Sequence, residues 1–534
     1  MHGFTPITVL DILAGAAFVA LIASFKRRRQ WSRLPLPPGP RGLPIIGHFL
    51  TFPKNFVWLT FTEWGQKHGM ICMFLILRET RCWEVTGDIV SVQILGQVIV
   101  VLNSPKVAKD LLEKRANIYS DRHLMPFYQM MGWEWFHPTT PYGDYWREGR
   151  KLLDRSLRAG AVVQYRPMQL AKTHDLLYQL LMDPESFQYQ IELYQAKLLM
   201  SLVYGYDVKS YNDRLLVVAR KMAELGSAVL PGTVLVNEIP ILKHIPAWIP
   251  WLSYQPAAQA GFDAGQDVLR YPMEFVKDGF KNGTARPSLA LENLQDIERM
   301  RGPQRENAEE VLKGVLGSMY TAGSDSTALT IIAFFRILVL YPEVQTRAQK
   351  ELDAVTGGLR LPDYNDRPRL PYIDALCKEV MRWSMATPVG VPHATIQDDI
   401  YEGYLIPKGA IVIANAWGML HDPTAYPEPF AFKPERFLDA DGTFRDDPLL
   451  TSAFGFGRRL CPARHFVDSS LFLSVSCVLS VFRVGPPKDE LGNEIHVEIQ
   501  DSGTNSSRPV GFRCTIVARD DRAKELIIAA NMAG

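Results

Sequence analysis

Apolar and polar positions divide the chain into three regimes. Phe4 to Phe25 form one mainly apolar run, interrupted by Asp11 and followed at once by Lys26, Arg27, Arg28 and Arg29. About 20 such residues suffice to span a bilayer as a helix, and a basic cluster after the span stays cytosolic. A cleavable signal peptide would instead carry its basic residues first and a small-residue cleavage site afterwards. The pattern predicts a signal-anchor over residues 1–30 in the endoplasmic reticulum membrane, single-pass, with everything behind it in the cytosol. Residues 31–44 contain LPLPPGPRGLP, whose prolines exclude regular helix and predict a stiff, extended hinge.

The third regime, residues 45–534, predicts one mainly α domain with small dispersed β-sheets. Asp88 to Asn103 carries two β-branched runs around Gly96-Gln97 and predicts a hairpin. From Ser104 to about Met385 the apolar positions recur with helical spacing. Strand-like pieces return at Tyr401–Ala414 and near Ile495–Val517. A long helix is predicted over Glu306–Tyr341, crossing the core. One segment fits none of this: Met70 to Gly87, MICMFLILRETRCWEVTG, sets an apolar run where a loop belongs. Its 18 codons keep the reading frame. Gly69-Met70 can be encoded with a donor-like GTATG and Thr86-Gly87 with an acceptor-like ACAG. It reads as a retained intron or other insertion, the alternative being an extra membrane-dipping loop.

Composition narrows the function classes. With 58 Lys+Arg against 57 Asp+Glu the formal net charge is +1, which argues against nucleic acid as the main partner. A hydrophobic share of 47% supports a substantial buried core. Six cysteines occur without CxxC or zinc-like spacing. Of these, Cys461 has an unusual setting, FGFGRRLCPA at Phe454–Ala463, directly before a helix-compatible stretch, Arg464–Phe482. Gly455 and Gly457 permit a tight turn with backbone N–H groups aimed at the sulfur. The helix start and Arg458, Arg459 and Arg464 favour a thiolate. Such a sulfur suits a metal; a buried structural cysteine is the alternative, and the preferred reading for Cys377, Cys477 and Cys514.

The loop resembles the heme-ligand loop of the cytochrome P450 family, with Phe454, Gly457, Arg459 and Cys461 at the family's spacings and Ala463 where the family usually has Gly. Further resemblances follow in the family's order. Glu379 and Arg382 form an ExxR pair, and PERF at Pro434–Phe437 supplies Arg436, implying a buried ion-pair network. Trp146 and Arg150 give the WxxxR helix that, with His393 and Arg459, implies contacts to heme propionates. AGSDST at Ala322–Thr327 resembles the oxygen-activating segment, with Asp325 and Ser326 as proton relay and Ser326 where the family usually has Thr. Read from the residues alone, AGSDST is a bulge, a groove or a helix terminus capped at Ser324 or Asp325.

The resemblance implies a monooxygenase with heme b, whose iron takes Cys461 as its axial thiolate, inserting one oxygen atom of O2 into a lipophilic small molecule. The chain lacks a GxGxxG dinucleotide fingerprint in the right context, so NADPH electrons are expected through a separate membrane-bound flavoprotein reductase. Arg147, Lys151, Arg155, Arg158, Arg458 and Arg464 are candidates for its docking face. Phe127, Met130, Met131, Phe136, Ala322, Gly323, Val389 and Val391 are candidate pocket residues. Ile239–Leu252, broken by prolines but carrying Trp248 and Trp251, is expected to rest in the membrane interface. YSDR at Tyr119–Arg122 resembles the fungal O-methylsterigmatocystin oxidoreductase-like branch, implying secondary metabolism such as terpenoid or polyketide tailoring. A non-oxygenating heme isomerase or dehydratase and a heme sensor are the competing readings; a relay at Asp325 and Ser326 argues against both.

Overall fold

The structure, a computed structural model, describes residues 34–68, 87–210, 212–226, 230–249, 253–495, 500–505 and 509–533. The predicted signal-anchor lies outside the described residues, as do Met70–Thr86 of the suspected insertion.

Twelve helices of ten residues or more are described: α1 Val57–His68, α2 Asp144–Leu157, α3 Arg166–Met182, α4 Phe187–Tyr204, α5 Arg214–Gly226, α6 Gln255–Asn282, α7 Leu289–Glu298, α8 Pro303–Leu340, α9 Pro342–Thr356, α10 Pro371–Trp383, α11 Arg464–Val481 and α12 Asp521–Ala533. The strands are β1 Ile89–Ile94, β2 Gln97–Leu102, β3 His393–Ala394, β4 Asp399–Tyr401, β5 Tyr404–Ile406, β6 Ile411–Ala414, β7 Phe482–Gly485, β8 Gln500–Asp501, β9 Pro509–Val510 and β10 Thr515–Ala518. They form one four-stranded sheet, in the order β1-β2-β6-β3, and three two-stranded ones. The expected mainly α fold with dispersed sheets is observed.

The hairpin turns one residue earlier than expected. Ile94 pairs with Gln97, so Leu95 and Gly96 form the two-residue turn, at φ of 48° and 84°. Positive φ at both positions is what a type I′ turn requires, and Leu95 adopts it although it carries a Cβ. β2 then pairs in parallel with β6, whose other edge takes the two-residue strand at His393.

Helix α8 is the axis of the molecule. Pro303 opens it behind Gly302, and Pro342 bars helical geometry at Tyr341, which sits at φ −132°. Ile331, Phe334, Phe335 and Leu338 of α8 are fully buried in a core shared with Leu198 and Leu202 of α4 and Leu473 and Val475 of α11. Each such side chain contributes about 1.5–3 kcal/mol by leaving water. Among the described residues α8 is also the one helix long and apolar enough to cross a membrane, and 67% of its most apolar window is buried inside the protein. It is a core helix.

The described flanks of the suspected insertion touch each other. The Asn103 side chain donates to the carbonyls of Phe61 in α1 and of Gly87. A Cβ on Gly87 would stand 1.8 Å from the Gly65 carbonyl oxygen, so the position before Asp88 requires glycine. Deleting residues 70–87 joins Gly69 to Asp88 and restores glycine there. The shortened protein is expected to fold in equal or higher yield with unchanged heme content. Loss of soluble protein in an expression comparison would show that the segment is part of the fold.

Candidate active site

Gly457 fixes the cysteine loop. It sits at φ 56°, and an added Cβ would come within 2.0 Å of the Leu112 carbonyl oxygen, so only glycine allows this approach. Gly455, at φ 89° and ψ −160°, occupies a region open essentially to glycine alone. The turn closes with the Cys461 N–H donating to the Phe454 carbonyl at 2.9 Å. Ala463, standing where the family usually has glycine, lies at φ −85° and needs no special freedom.

Burial pushes the Cys461 thiol up, against the N–H groups of Ala463 and Arg464 and the charges of Arg150 and Arg464, which pull it down. Burial prevails, contrary to the expectation that the loop alone favours a thiolate. Arg458 and Arg459 contribute little because they point elsewhere: Arg458 donates to the Tyr142 hydroxyl, and Arg459 to the Ser120 and Thr140 carbonyls, both at 2.8 Å. A bound cation at the sulfur would supply the missing stabilisation.

Cys461 opens onto a cavity of about 370 Å³ whose wall includes Trp146, Arg150, His393, Arg459, Ala322, Gly323, Ser326, Val389 and Val391. Residues from four separate parts of the chain therefore converge here. Four of the expected pocket residues do not. Phe127, Met130 and Phe136, together with Met131, pack in a satellite core with Trp133, Val236 and Val268 against α6. The aromatic and Met-rich loop is used as packing, because the 126–136 segment folds onto α6 rather than over the cavity. Asp325 is half-buried and off the cavity wall.

The expected bulge at AGSDST is absent: α8 runs unbroken through it. Its hydroxyls bond back to the helix, Ser324 Oγ to the Thr321 carbonyl and Ser326 Oγ to the Ala322 carbonyl, each at 3.3 Å. At Gly323 α4 comes close, since an added Cβ would lie 3.1 Å from Leu199 Cδ1. One turn earlier on α4, Gln195 donates to the Gly323 carbonyl at 3.3 Å, while its Oε1 has no partner. Sequence reasoning missed Gln195, which carries no motif.

It also missed the roles of Arg122 and His137, both on the cavity wall. Arg122, noted only as the end of YSDR, is 7% exposed and donates to the carbonyls of Pro138, Val391 and Pro392. Burial and then Arg459 depress its pKa well below the usual arginine range. Arginine does not release its proton in practice, so that depression marks an unmet demand for negative charge. Burial likewise pushes Arg459 down to about 10, and pushes His393 well below its ordinary value, with Arg122 adding to the effect. Arg459 Nη1 and both ring nitrogens of His137 are buried without a partner.

These features test the fit of the implied cofactor. Among the described residues no group of three His, Cys, Asp or Glu side chains could hold a bare metal. A single sulfur at one wall and anion-seeking cations at the edge suit a metal carried in a flat ligand with its own carboxylates. Heme fits the residues present.

A model of the Cytochrome P450 family matches residues 76–500. The chain belongs to the cytochrome P450 family. It is 37% identical to Cytochrome P450 monooxygenase 208 of Postia placenta over 98% of each chain. It is 35% identical to Cytochrome P450 monooxygenase COX2 of Coprinopsis cinerea, over 97% of this chain and 94% of that one. It is also 37% identical to Cytochrome P450 monooxygenase claR of Ampulloclitocybe clavipes, over 98% and 93%. As a cytochrome P450 it is a heme-dependent monooxygenase.

Behind the cavity, Glu379 and Arg382 on α10 are fully buried and paired through both oxygens, at 2.6 and 2.8 Å. Arg436 Nε lies 3.4 Å from Glu379 Oε1, which also accepts the Lys433 N–H at 2.9 Å. Arg382 donates onward to the Leu420 carbonyl at 3.0 Å. The carboxylate thus holds two guanidinium groups, and among the described residues no other acid forms an ion pair with either of them. Glu379→Gln is expected to lower stability by about 3–5 kcal/mol, the cost of leaving buried charge unpaired. Denaturant titration followed by circular dichroism measures it.

Proposed function

We propose that this cytochrome P450 oxidises a lipophilic small molecule in fungal secondary metabolism, with terpenoid or polyketide tailoring as the class. The observation that carries the reading is one cavity bearing Cys461 on one wall and Ser326 of α8 on another, between mainly apolar side chains such as Leu199, Val315, Met319 and Val389. Three relatives whose printed names are cytochrome P450 monooxygenases, all fungal, support it.

Each side chain then takes a role. Bound heme would supply the iron for dioxygen chemistry, and Cys461 would hold that iron as its thiolate ligand. Trp146, Arg150, His393 and Arg459 would hold the propionates, and Arg122 would join them as a further donor. Ser326 orders a water beside the oxygen site, and Asp325, one residue back and off the wall, carries protons toward it from outside. Ser lacks the methyl that limits the rotamers of Thr, so its hydroxyl alternates between the Ala322 carbonyl and the cavity.

Electrons come from NADPH through a membrane-bound flavoprotein reductase. Lys151 and Arg158, both exposed on or just after α2, support a basic docking face. Arg155 contributes less, since it bonds Asn293 and lies 3.6 Å from Asp296. Anchoring in the endoplasmic reticulum membrane by residues 1–30 gains support from an apolar edge on the globule. Ile241 and Trp248 are 70% and 79% exposed, and Leu50 is 70% exposed. Phe52 lies under Gly232, bringing the Leu50 region alongside the 230–249 segment, so both would meet one membrane surface.

The test is a reduced carbon-monoxide difference spectrum, then NADPH consumption with reductase and candidate lipophiles. Cys461→Ala is expected to abolish the thiolate-type band, and a retained band would overturn the assignment. Ser326→Ala is expected to keep heme while raising peroxide released per NADPH by about tenfold, as its water loses a hydroxyl partner. Unchanged coupling would give the relay to Thr327, which also lines the cavity.

A further inference from the structure

His137 has a setting that the roles above leave unexplained. It is 7% exposed, lines the central cavity, and has no hydrogen-bond partner at Nδ1 or Nε2. Its place is firmly held. The backbone N–H donates to Ser318 Oγ at 2.9 Å, and Ser318 in turn donates to the Gly314 carbonyl, which pins the loop to α8. The ring stacks on Trp146 with planes 7° apart and centroids 5.8 Å apart. An added Cβ on Gly149 would meet His137 Cε1 at 2.8 Å, so α2 closes over it.

A buried imidazole with two unsatisfied nitrogens is unfavourable unless a partner arrives from elsewhere. The charged groups facing it are Arg459, Arg150 and Arg122, and together with burial they keep the ring neutral. A neutral ring offers one N–H donor. Arg459 lies with its guanidinium carbon 4.4 Å over the far-reaching Trp146 ring and has Nη1 unpaired, so two free donors gather around one indole. What they lack in common is an acceptor carrying negative charge.

We propose that His137 is a positioning residue for the cofactor, its ring N–H donating to a carboxylate of bound heme alongside Arg122 and Arg459. The proposal rests on the heme reading above. Trp146 serves as the platform that sets the ring's plane, and the Ser318 contact sets its depth.

Three variants separate a polar role from a packing one. His137→Phe keeps the stack on Trp146 and removes the donor. His137→Gln and His137→Asn place an amide N–H near Nε2 and Nδ1, respectively, and remove the ring. The readouts on the full-length holoprotein are the rate of heme transfer to apomyoglobin and the heme reduction potential, neither of which is turnover. His137→Phe is expected to lose heme about tenfold faster, the effect of one hydrogen bond to a charged group, with a shifted potential. At least one amide variant is expected to restore both values. A Phe variant matching the wild type, or amide variants that both lose heme as fast as Phe, would overturn the proposal. The thiolate-type carbon-monoxide band is read on each variant's heme-bound fraction, so its presence keeps the heme reading intact whichever way His137 falls.

Discussion

The buried carboxylate of Glu379 is the contact on which the arrangement depends. It neutralises Arg382 on its own helix and Arg436 some fifty residues further on, and it accepts the Lys433 N–H. α10 lies against α8 on one side and against α11, behind the cysteine loop, on the other. The chain between α10 and that loop is long, and after β6 it contains no further strand. Arg436 ties it down further by donating to the carbonyls of Pro427 and Glu428. An ion pair of this kind adds little net stability over an apolar replacement, but it tolerates few alternative geometries. Its value here is in setting the path that delivers Cys461.

Much of this was legible in the residues. The β-branched runs at Ile89–Ile94 and Gln97–Leu102 announce the hairpin because both strands are buried on nearly every position. The Gly455 and Gly457 pair announces the cysteine turn because its backbone angles and close approach exclude other residues. What failed did so for identifiable reasons. AGSDST reads as a break because Gly, Ser and Asp are poor helix formers, yet hydroxyl back-bonding and packing by Leu199 keep α8 continuous. Phe127, Met130 and Phe136 have the composition of a pocket wall, and composition is the same for a satellite core; only the approach of α6 distinguishes them.

Arg122, His137 and Gln195, whose roles the motifs do not reveal, share a property invisible to spacing. Each owes its importance to being buried with an unmet electrostatic or hydrogen-bonding demand, and burial arises from elements distant in the chain. Arg122 is covered by the 391–392 segment, His137 by α2 and α8, and Gln195 by the crossing of α4 over Gly323. Unsatisfied polar atoms thus locate the functional interior where motifs do not.

The buried pair of Arg122 and Arg459 has a consequence for the life of the protein rather than its chemistry. Without an anion these cations are held together at a loss, so the empty chain sits higher in free energy than its apolar core alone would imply. Any ligand that binds only the folded form adds stability in proportion to the logarithm of its concentration over its dissociation constant. A cell poor in heme would therefore carry less of this polypeptide, through unfolding and proteolysis, without any change in its gene's transcription. Cofactor supply and protein abundance become one variable, set by two guanidinium groups.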